Sequence, residues 1–495
     1  MERKWWALGA MVMSFLVLGF DTTILNVALP TMADQLGATT GQQQWMSDAY
    51  IVVFAALMLP AGLLGDRFGR RRMLVTGLAI FLAGSVVGAF ATSVEPVIAA
   101  RAFMGVGAAL IMPLALSVVP TMFTPEEQPK AMGVITAASG IGMPLGPIIG
   151  GWLLNHFWWG SIFVINVPMA AIGIVACVLL LPETRDPSAP KVDLLSTALT
   201  TTGLAALIFG IIEASERSWG DALVVSMLAA SVVLIAALVV RERRMVRPML
   251  DLELLTHRPF LLNTLAATLT MFVLSGLMFV LTPYLSAVLG NDAFGTGLRM
   301  LPMMAGLFVA AKAAGPLLQR FGARVVISGG LLVLAAGVLI GSTTGVDDGY
   351  GFTALWLTVT GFGFGFAMVP AMTAAIGALP RDQAGSGSGL LSTVRQTGAA
   401  LGVALLGSLI AGVYTGRLPG GAPEAAKDSV VGAHLTGDAG LARVADAAYV
   451  HGMSVALIVC GIAALVTAAL AVVMLPKKAG AVAAAEDLAP APVDA

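Results

Sequence analysis

The sequence has very little charge and almost no cysteine. Of its 495 residues, 11% are charged and 58% are hydrophobic, and the mean hydropathy is +0.91. So few charged residues cannot cover a water-facing surface, which excludes a soluble globular fold and predicts an integral membrane protein. The two cysteines, Cys177 and Cys460, both lie in apolar stretches, which excludes a disulfide framework and a cysteine metal site.

The motifs of nucleotide-hydrolysing and zinc enzymes are also missing. There is no Gly-x-x-x-x-Gly-Lys-Ser/Thr phosphate loop and no His-Glu-x-x-His motif, and the four histidines lack metal-ligand spacing. No set of nucleophile, base and oxyanion donors can be assembled from the apolar segments. We therefore expect neither an enzyme nor a cofactor or metal, and an ion gradient is the natural energy source. The net charge of −1 gives no reason to expect a nucleic-acid partner.

Long hydrophobic runs, in contrast, are abundant. Fourteen of them are long enough to cross about 30 Å of hydrocarbon, so the predicted fold class is an all-α membrane protein with fourteen transmembrane spans. The runs cover residues 5–29, 44–65, 74–92, 97–120, 131–154, 161–182, 194–214, 222–241, 259–289, 296–317, 325–345, 352–374, 385–415 and 449–475.

Lys and Arg residues fall mostly on one side of these spans. The densest groups, at 67–72 and 241–258, lie on the same side as both chain ends. Positive residues next to span ends stay in the cytoplasm, so both termini are predicted to be cytoplasmic. We expect a multi-pass protein of the plasma membrane, in contact with the lipid bilayer throughout.

A ten-residue basic motif occurs twice, at Gly62–Arg71 and at Gly315–Arg324, with six identical residues at an offset of 253. Each copy lies in a short loop between two apolar runs. Such duplication is typical of transporters whose two halves rock about a central site. The offset is too long for a plain repeat of six spans, since the sixth run ends at residue 182, and it predicts an inserted pair of spans.

The predicted domain organisation follows from this repeat. Residues 1–190 form an N-terminal six-helix bundle, and residues 191–254 hold the inserted spans 7 and 8 with a basic linker. Residues 255–478 form the C-terminal six-helix bundle. The Ala- and Pro-rich residues 479–495 are predicted to be a disordered cytoplasmic tail.

Several further motifs carry a family resemblance, which runs from about residue 8 to residue 410. They are Leu18–Pro30, Gln44–Tyr50, Gly62–Arg71, Arg101–Ala109, Gly142–Gly151, Trp158–Pro168 and Gly385–Gly398. Together they resemble the fourteen-helix drug:proton antiporters of the major facilitator superfamily. Two positions depart from the family pattern: Met104 replaces a polar amide, and Gln319 replaces the acid of the second basic loop.

The resemblance implies the major facilitator fold, with two six-helix bundles plus two inserted helices. It also implies a monomeric secondary transporter that exports amphipathic drugs, antibiotics or similar small molecules in exchange for protons. Proton-coupled uptake of a small solute and a non-transporting membrane sensor or scaffold are the alternatives. The expected cargo is lipophilic and in many cases cationic.

Asp21 is the first candidate for proton coupling, because it lies about two-thirds of the way through the first span. An ionised carboxylate at such depth costs about 3 kcal/mol, so the side chain is expected to have a function. Burial disfavours the charged form, and the carboxyl can hold a proton and release it when cargo or water arrives. The alternative is a structural hydrogen bond to Thr22 or Asn26.

Arg101 and Asp48 complete the proton-coupling set. Arg101 lies five residues into the fourth span and cannot lose its proton, so its fixed charge can hold a nearby acid until exchange occurs. Its alternative is snorkelling to the headgroups. Asp48, in the outer third of the second span, is either a second carboxylate at the cavity mouth or a water-exposed acid at a helix end.

The basic loop is interpreted as a conformational latch. Gly62 and Gly69 permit a tight turn, Arg67 and Arg71 keep the loop in the cytoplasm, and Asp66 can accept from a helix amino terminus or pair with an arginine. The alternative is a topology signal alone.

The fifth span carries the motif of the antiporters. Gly142, Gly146 and Gly150 recur at intervals of four and align small residues on one face, while Pro147 bends the helix and Gly151 follows. A close, bent interface is expected there. Weaker candidates for the substrate path are Asn26, Tyr50, Arg395 and Gln396.

Overall fold

The computed structural model describes residues 3–123, 127, 131, 134, 145–185, 193–245, 248, 252–379 and 384–475. Every regular element within these residues is a helix. Gly142 and the predicted tail at 479–495 lie outside the described residues.

The first half of the chain forms seven helical segments. They are α1 (Arg3–Leu36), α2 (Thr40–Phe68), α3 (Arg70–Ala89), α4 (Val94–Met122), α5 (145–156), α6 (Ser161–Val164) and α7 (Asn166–Leu180). α1 continues seven residues past its predicted end at residue 29, and it ends where Gly37 adopts a φ of 63°. α2 begins with a capping box, in which Thr39 and Gln42 exchange side chain to backbone hydrogen bonds.

The inserted pair forms a hairpin of α8 (Leu194–Glu216) and α9 (Ala222–Arg244). Asp193 caps α8 by accepting from the backbone N–H of Leu195 at 3.1 Å. The same carboxylate accepts from Arg241 Nε at 2.9 Å, which ties the two ends of the hairpin together. A short 3₁₀ turn (Leu252–Thr256) then leads into the second half.

The second half is longer and contains three short helices. It comprises α10 (Arg258–Pro283) with a π turn (Tyr284–Val288), α11 (Ala293–Arg299), α12 (Leu301–Gly341), α13 (Tyr350–Gly377), α14 (Ala384–Thr415), α15 (Glu424–Asp428), α16 (Val430–Leu435) and α17 (Ala439–Met474). α17 begins ten residues before the predicted 449, because Asp438 caps it by accepting from the N–H groups of Gly440 and Leu441. Residues 439–448, which lie before the predicted apolar run, are therefore helical.

Eleven helical stretches of the described residues are long and apolar enough to cross a membrane. One of them, Ala293–Gly341, has 49 residues. At 1.5 Å per residue this is about 70 Å, more than twice the hydrocarbon thickness. It is broken at Gly322, where φ is 79°.

The break at Gly322 is the structural counterpart of the duplicated motif. Gly69 separates α2 from α3 with a φ of 109°, and Gly322 interrupts α12 with a φ of 79°, 253 residues later (322 − 69). Positive φ values cost a residue with a Cβ about 1–2 kcal/mol, which explains glycine at both places. The two halves thus make the same turn at the same place in the repeat.

The inserted hairpin contacts both halves through α8. Val52 of α2, Ile211 and its neighbours on α8, and Ala404 of α14 form one buried apolar cluster. Ser408 on α14 donates to the carbonyl of Ile211 at 3.0 Å, and the Trp45 ring on α2 lies 6.1 Å from the ring of Phe209. α8 therefore packs against both α2 and α14, which also contact each other directly.

Candidate functional site

Asp21 and Arg101 form an ion pair inside the first half. Arg101 Nη1 donates to Asp21 Oδ2 at 2.5 Å, and Asn166 Nδ2 at the start of α7 donates to the other oxygen at 2.8 Å. Asp21, Arg101 and Asn166 are at most 2% exposed. Both carboxylate oxygens thus have donors, one of them charged, an arrangement that stabilises the ionised carboxylate.

Arg101 is held by α2 as well as by Asp21. Its Nε donates to the backbone carbonyl of Met46 at 3.1 Å, and its guanidinium carbon lies 4.4 Å from the centre of the Tyr50 ring. The close approach depends on Gly105, since a Cβ there would lie 2.6 Å from the Tyr50 carbonyl oxygen. Snorkelling of Arg101 to the headgroups is therefore wrong, and Tyr50 belongs to this site.

The structural alternative for Asp21 is also wrong. The amide of Asn26 donates to the backbone carbonyl of Thr22 at 3.1 Å, and Thr22 donates to the carbonyl of Gly19. Neither side chain is a recorded partner of Asp21. The carboxylate joins three helices, α1, α4 and α7, rather than closing a local turn of its own helix.

Breaking this pair is costly. Removing one member of a buried ion pair leaves an uncompensated charge, and such losses are about 3–5 kcal/mol. The pair itself contributes less, because desolvation of both ions offsets most of the attraction. Asp21 and Arg101 therefore depend on each other for their burial between α1 and α4.

Asp48 is buried in a different place. It is fully buried, and neither of its carboxylate oxygens has a hydrogen-bond partner in the described residues. One turn before it, Gln44 donates to the carbonyl of Ala404 at 3.4 Å, and one turn after it, Val52 packs in the cluster with α8. Asp48 lies on this same face of α2, so the interpretation as a water-exposed acid is wrong.

The basic loop is anchored to the residues that follow α7. Arg71 Nη1 donates to the carbonyl of Leu181 at 3.3 Å, and the N–H of Arg71 donates to Glu183 Oε1 at 3.2 Å. A Cβ on Gly69 would lie 2.5 Å from the Glu183 carboxylate, so glycine is required for contact as well as for its φ. A Cβ on Gly62 would lie 4.0 Å from Pro113 Cβ on α4.

Asp66 and Arg67 contribute differently to this loop. Arg67 is exposed, with its guanidinium carbon 5.8 Å from the Phe68 ring centre. Asp66 lies in α2, and its side chain falls outside what the structure describes. Within the described residues, the anionic partner of the loop is Glu183.

The antiporter motif on α5 contacts two other helices. A Cβ on Gly150 would lie 2.5 Å from Ile24 Cγ1, and Gly146 contacts Thr23, so one face of α5 lies against α1. A Cβ on Gly151 would lie 2.5 Å from the Ala293 carbonyl oxygen at the start of α11. In addition, Pro147 contacts Gly297 on α11. The motif therefore joins α1 of the first half to α11 of the second.

Side-chain hydrogen bonds between the halves cluster at one end of the molecule, called here the Thr40 end. Thr40 donates to the carbonyl of Asp428 at 2.6 Å, and Asn155 Nδ2 donates to Asp292 Oδ2 at 2.6 Å. The bond from Gln44 to the carbonyl of Ala404 is the third side-chain hydrogen bond between the halves in the described residues. The other end, which carries the loop at Arg70–Arg72 and Glu183, has none in the same residues.

Arg395 and Gln396 lie buried in α14, at 7% and 8% exposed. Arg395 Nη1 lies 3.4 Å from the thioether sulfur of Met372 on α13, and its Nε has no partner in the described residues. The structure does not bring these two residues to Asp21.

Sequence reasoning missed the roles of Asn166, Glu183 and Gln44. All three lie in or directly after motifs that were visible: Asn166 in the block Trp158–Pro168, Gln44 in the block that enters the second span, and Glu183 just after the sixth run. Met104 is fully buried and accepts from Ser85 of α3, so its departure from the family pattern concerns helix packing.

Comparison with known proteins agrees with this architecture. A family model described as Major Facilitator Superfamily matches residues 11–403. The chain is 31% identical over 490 residues to the tetracenomycin C resistance and export protein of Streptomyces glaucescens, which spans 95% of this chain and 91% of that protein. It is 36% identical over 424 residues to the probable actinorhodin transporter of Streptomyces coelicolor, at 83% and 73% coverage.

A multidrug efflux pump of Mycolicibacterium smegmatis is 33% identical over 443 residues and covers 87% of each chain. Among solved structures, a bacterial homolog of the human lysosomal transporter Spinster in an inward-facing conformation has a TM-score of 0.69 at 17% identity, covering 96% of this chain and 97% of that one. A POT family transporter in complex with 5-aminolevulinic acid has a TM-score of 0.67 at 13% identity, covering 94% and 95%. At these identities the structures support the fold alone.

Proposed function

Because this chain belongs to the major facilitator superfamily, we propose that it is a secondary transporter that exports amphipathic drugs, antibiotics or similar small molecules in exchange for protons. The family consists of membrane transporters, so the protein is not an enzyme. Relatives named for export of tetracenomycin C, for actinorhodin and for multidrug efflux support a drug or antibiotic as cargo. The transporter would act as a monomer.

The proposed topology has fourteen spans with both termini in the cytoplasm. Eleven stretches qualify by length and composition, and Ala293–Gly341 counts twice because Gly322 breaks it. α2 and α5, which lies in the apolar run at 131–154, supply the other two. The positive-inside rule then places the Arg70–Arg72 loop in the cytoplasm and the Thr40 end outside.

One observation supports proton coupling most strongly: the buried contact of Asp21 with Arg101 and Asn166. Charged side chains at membrane depth are costly, and those that are kept there are in general functional. Protonation of Asp21 would remove the charge that holds Arg101 and, with it, the carboxylate that a cationic or polar cargo would contact. Proton and cargo would thus compete through one ion pair.

The arrangement of contacts fits one half of such a cycle. With the Thr40 end assigned to the outside, the hydrogen bonds between the halves close the external side while Asp21 is paired. In our proposal, cargo enters from the cytoplasm in this state. The halves then tilt, external protons reach Asp21 and release cargo, and the pair would re-form once Asp21 gives up its proton on the cytoplasmic side. Asp48, buried without a partner at the seam with α8 and α14, would be the second protonation site.

The proposed gates are the basic loop after α2 and the glycine motif on α5. The loop with Gly62, Asp66, Arg67, Gly69 and Arg71, which Arg71 anchors to Glu183 in this structure, would close the cytoplasmic side when it docks against the second half. The α5 face around Gly146, Pro147, Gly150 and Gly151 would be the external seam.

Efflux of a fluorescent drug from energised cells tests the proposal. We expect Asp21→Asn to reduce ethidium efflux to the level of cells without the transporter, because an amide cannot exchange a proton. A proton uncoupler should do the same to the parent protein. Asp34→Asn is the matched control, since Asp34 is an exposed acid on the same helix, and it should retain parental efflux.

Membrane levels of each variant must match for the comparison to count. Efflux that survives both Asp21→Asn and the uncoupler would reject proton coupling. Loss of efflux in Asp34→Asn to the same extent would show that neutralising either acid of α1 abolishes transport. Asp21 would then have no special role.

A further inference from the structure

The side-chain amide of Asn166 has one bonded end and one end without a partner. Its Nδ2 donates to Asp21 Oδ1 at 2.8 Å, whereas its Oδ1 is buried and has no hydrogen-bond partner in the described residues. The whole residue is 0% exposed, so bulk water does not reach the amide. Unpaired buried oxygens are uncommon in proteins, and one that lies beside a candidate proton carrier calls for an explanation.

The ionised form of Asp21 accounts for Nδ2 of Asn166 and leaves Oδ1 unexplained. An ionised carboxylate can only accept hydrogen bonds, and Asp21 accepts from Arg101 Nη1 and from Asn166 Nδ2. A lysine or arginine in place of Asn166 would also satisfy this form, because both side chains only donate. Asparagine carries a donor and an acceptor on one planar group. It therefore matches a carboxyl group that changes its protonation state.

The geometry also selects the oxygen of Asp21 that takes the proton. Oδ2 faces Arg101 Nη1, which has no acceptor to offer to an O–H group. Oδ1 faces the Asn166 amide, which presents its oxygen instead of its nitrogen after half a turn about the last side-chain bond. The amide oxygen and nitrogen groups are nearly equal in size, so the rotated side chain fits the same space. A proton on Oδ1 would then have an acceptor.

We infer that Asn166 is a positioning residue that hydrogen-bonds Asp21 in both protonation states, because its amide turns over when the proton binds. The inference rests on the proposed function and deepens it at the same site. The proton comes from external water and forms an O–H bond at Asp21 Oδ1, and this O–H group donates to Asn166 Oδ1. Arg101 still donates to Oδ2, which is now a neutral carbonyl oxygen. When the proton leaves to cytoplasmic water, the amide turns back and Nδ2 donates again.

This exchange directs the effect of the proton to one pair of helices. Asn166 makes one hydrogen bond to Asp21 in each state, so α1 stays joined to α7 throughout the cycle. The contact with Arg101 changes from a charge-assisted bond between two ions to a bond with a neutral acceptor, which is weaker. The proton therefore loosens α1 from α4 and leaves α1 attached to α7.

The titratable groups closest to this carboxyl are Arg101 of α4 and Tyr50 of α2, whose ring lies against the guanidinium. Asp48 of α2 is one turn from Gln44, which bonds to α14. The other titratable groups on helices that contact α1 are Cys177, which bonds to Ser14, and groups near helix ends, namely Arg67, Glu95, His156, Arg258, Arg299 and His434. The proton-dependent change is thus expected at Asp21, with Arg101 as its counter-charge.

Infrared difference spectra between neutral and acidic pH test the inference on the parent protein. The detergent-purified full chain is prepared with unlabelled and with isotope-labelled asparagine, so that asparagine bands are recognised by their isotope shift. We expect acidification to produce a carboxyl C=O band of Asp21 and to move one asparagine C=O band to lower frequency, because Asn166 Oδ1 gains a hydrogen bond. Both changes should be missing in Asp21→Asn.

Asn166→Leu gives the second measurement, since it removes the donor and the acceptor together. The Asp21 carboxyl band should move to higher frequency because its O–H group loses the acceptor. The pH at which half of this band has appeared should stay within about half a pH unit of the parent, because both protonation states lose one hydrogen bond. A residue that only stabilises the ionised form would instead shift this midpoint by about 1–2 pH units.

Asn263→Leu is the matched control, because Asn263 is a buried asparagine of the second half whose amide donates to the Pro259 carbonyl. It should leave the Asp21 band and its midpoint unchanged. The inference is overturned if the asparagine band of the parent stays in place or moves to higher frequency. It is also overturned if Asn166→Leu shifts the midpoint by about 1–2 pH units and leaves the carboxyl band where it was.

The same spectra separate this inference from the proposed function. If acidification gives no carboxyl band that depends on Asp21, then Asp21 takes up no proton, and proton coupling at this residue fails together with the inference. If the carboxyl band appears without the asparagine change, the inference alone fails. The labelled parent protein decides between these outcomes even where Asn166→Leu does not fold.

Discussion

The two halves share a backbone plan and differ in where they hold charge. Other glycines besides Gly69 and Gly322 recur at the offset of 253; among them, Gly77, Gly84 and Gly88 on α3 return as Gly330, Gly337 and Gly341 on α12. Gly77 and Gly84 let α3 approach α4 closely and Gly88 faces Phe163 of α6, whereas all three glycines of the second half face α13. The positions that set helix distance were therefore kept on duplication.

Charge was not kept in the same way. The first half buries Arg101 against Asp21 and Asn166, whereas the second half buries Arg395 with a thioether as its recorded contact. Close packing at a glycine requires only that the Cβ is absent, so it can form between any two helices whose backbones come near each other. A buried ion pair needs two complementary residues on separate helices. Duplication thus supplies a scaffold twice, and each half can acquire its own chemistry.

The largest expected effect separates the two buried arginines. We expect Arg101→Gln to lower the free energy of unfolding by about 3–5 kcal/mol, because it strands the Asp21 carboxylate in a buried site. Arg395→Gln should leave stability unchanged or raise it, because no buried carboxylate in α10, α12, α13 or α14 depends on it. Unfolding of the purified protein by heat and by dodecyl sulfate would measure both.

A double variant sharpens this test. Asp21→Asn combined with Arg101→Gln removes both charges and should recover much of the stability lost in Arg101→Gln, without restoring efflux. Equal destabilisation by Arg101→Gln and Arg395→Gln would contradict the difference between the halves.

Much of this comparison could be predicted from the sequence. The offset of 253 predicted the duplication, and Asp21 and Arg101 were both recognised as membrane-depth charges. Their pairing with Asn166 could not be derived, because hydrophobic pattern gives the face of each helix and not which helices meet. Asp48 shows the same limit: its depth in the second span could be predicted, but its full burial is seen only once α2 is packed against α14 and α8.

A smaller effect is expected at the shared glycine seam. Gly77→Ala places a Cβ 2.7 Å from Leu110 Cβ, and Gly330→Ala places one 2.5 Å from the Ala367 nitrogen. We expect each to cost about 1–3 kcal/mol through overpacking, with similar losses in the two halves. Gly329→Ala is the control, since no atom lies within 4 Å, and it should stabilise α12 by up to about 1 kcal/mol.

Thermal unfolding of the three variants decides the matter. A large loss of stability in Gly77→Ala with none in Gly330→Ala would show that close packing at these glycines stabilises one half only. Destabilisation by Gly329→Ala equal to that of its neighbour would mean that α12 resists any added Cβ, and the argument from close approach would no longer hold.

The smallest effect compares the two glycines with positive φ. Gly322→Ala should cost about 1–2 kcal/mol, the usual penalty for a Cβ in that backbone region. Gly69→Ala should cost more, because its Cβ would also lie 2.5 Å from Glu183 Oε1. Adding Glu183→Ala to Gly69→Ala removes that contact, so the two glycine sites should then lose similar stability in the same unfolding assay. If Gly69→Ala still loses more stability than Gly322→Ala in the Glu183→Ala background, the difference between the two loops comes from the backbone of the turn and not from the contact with Glu183.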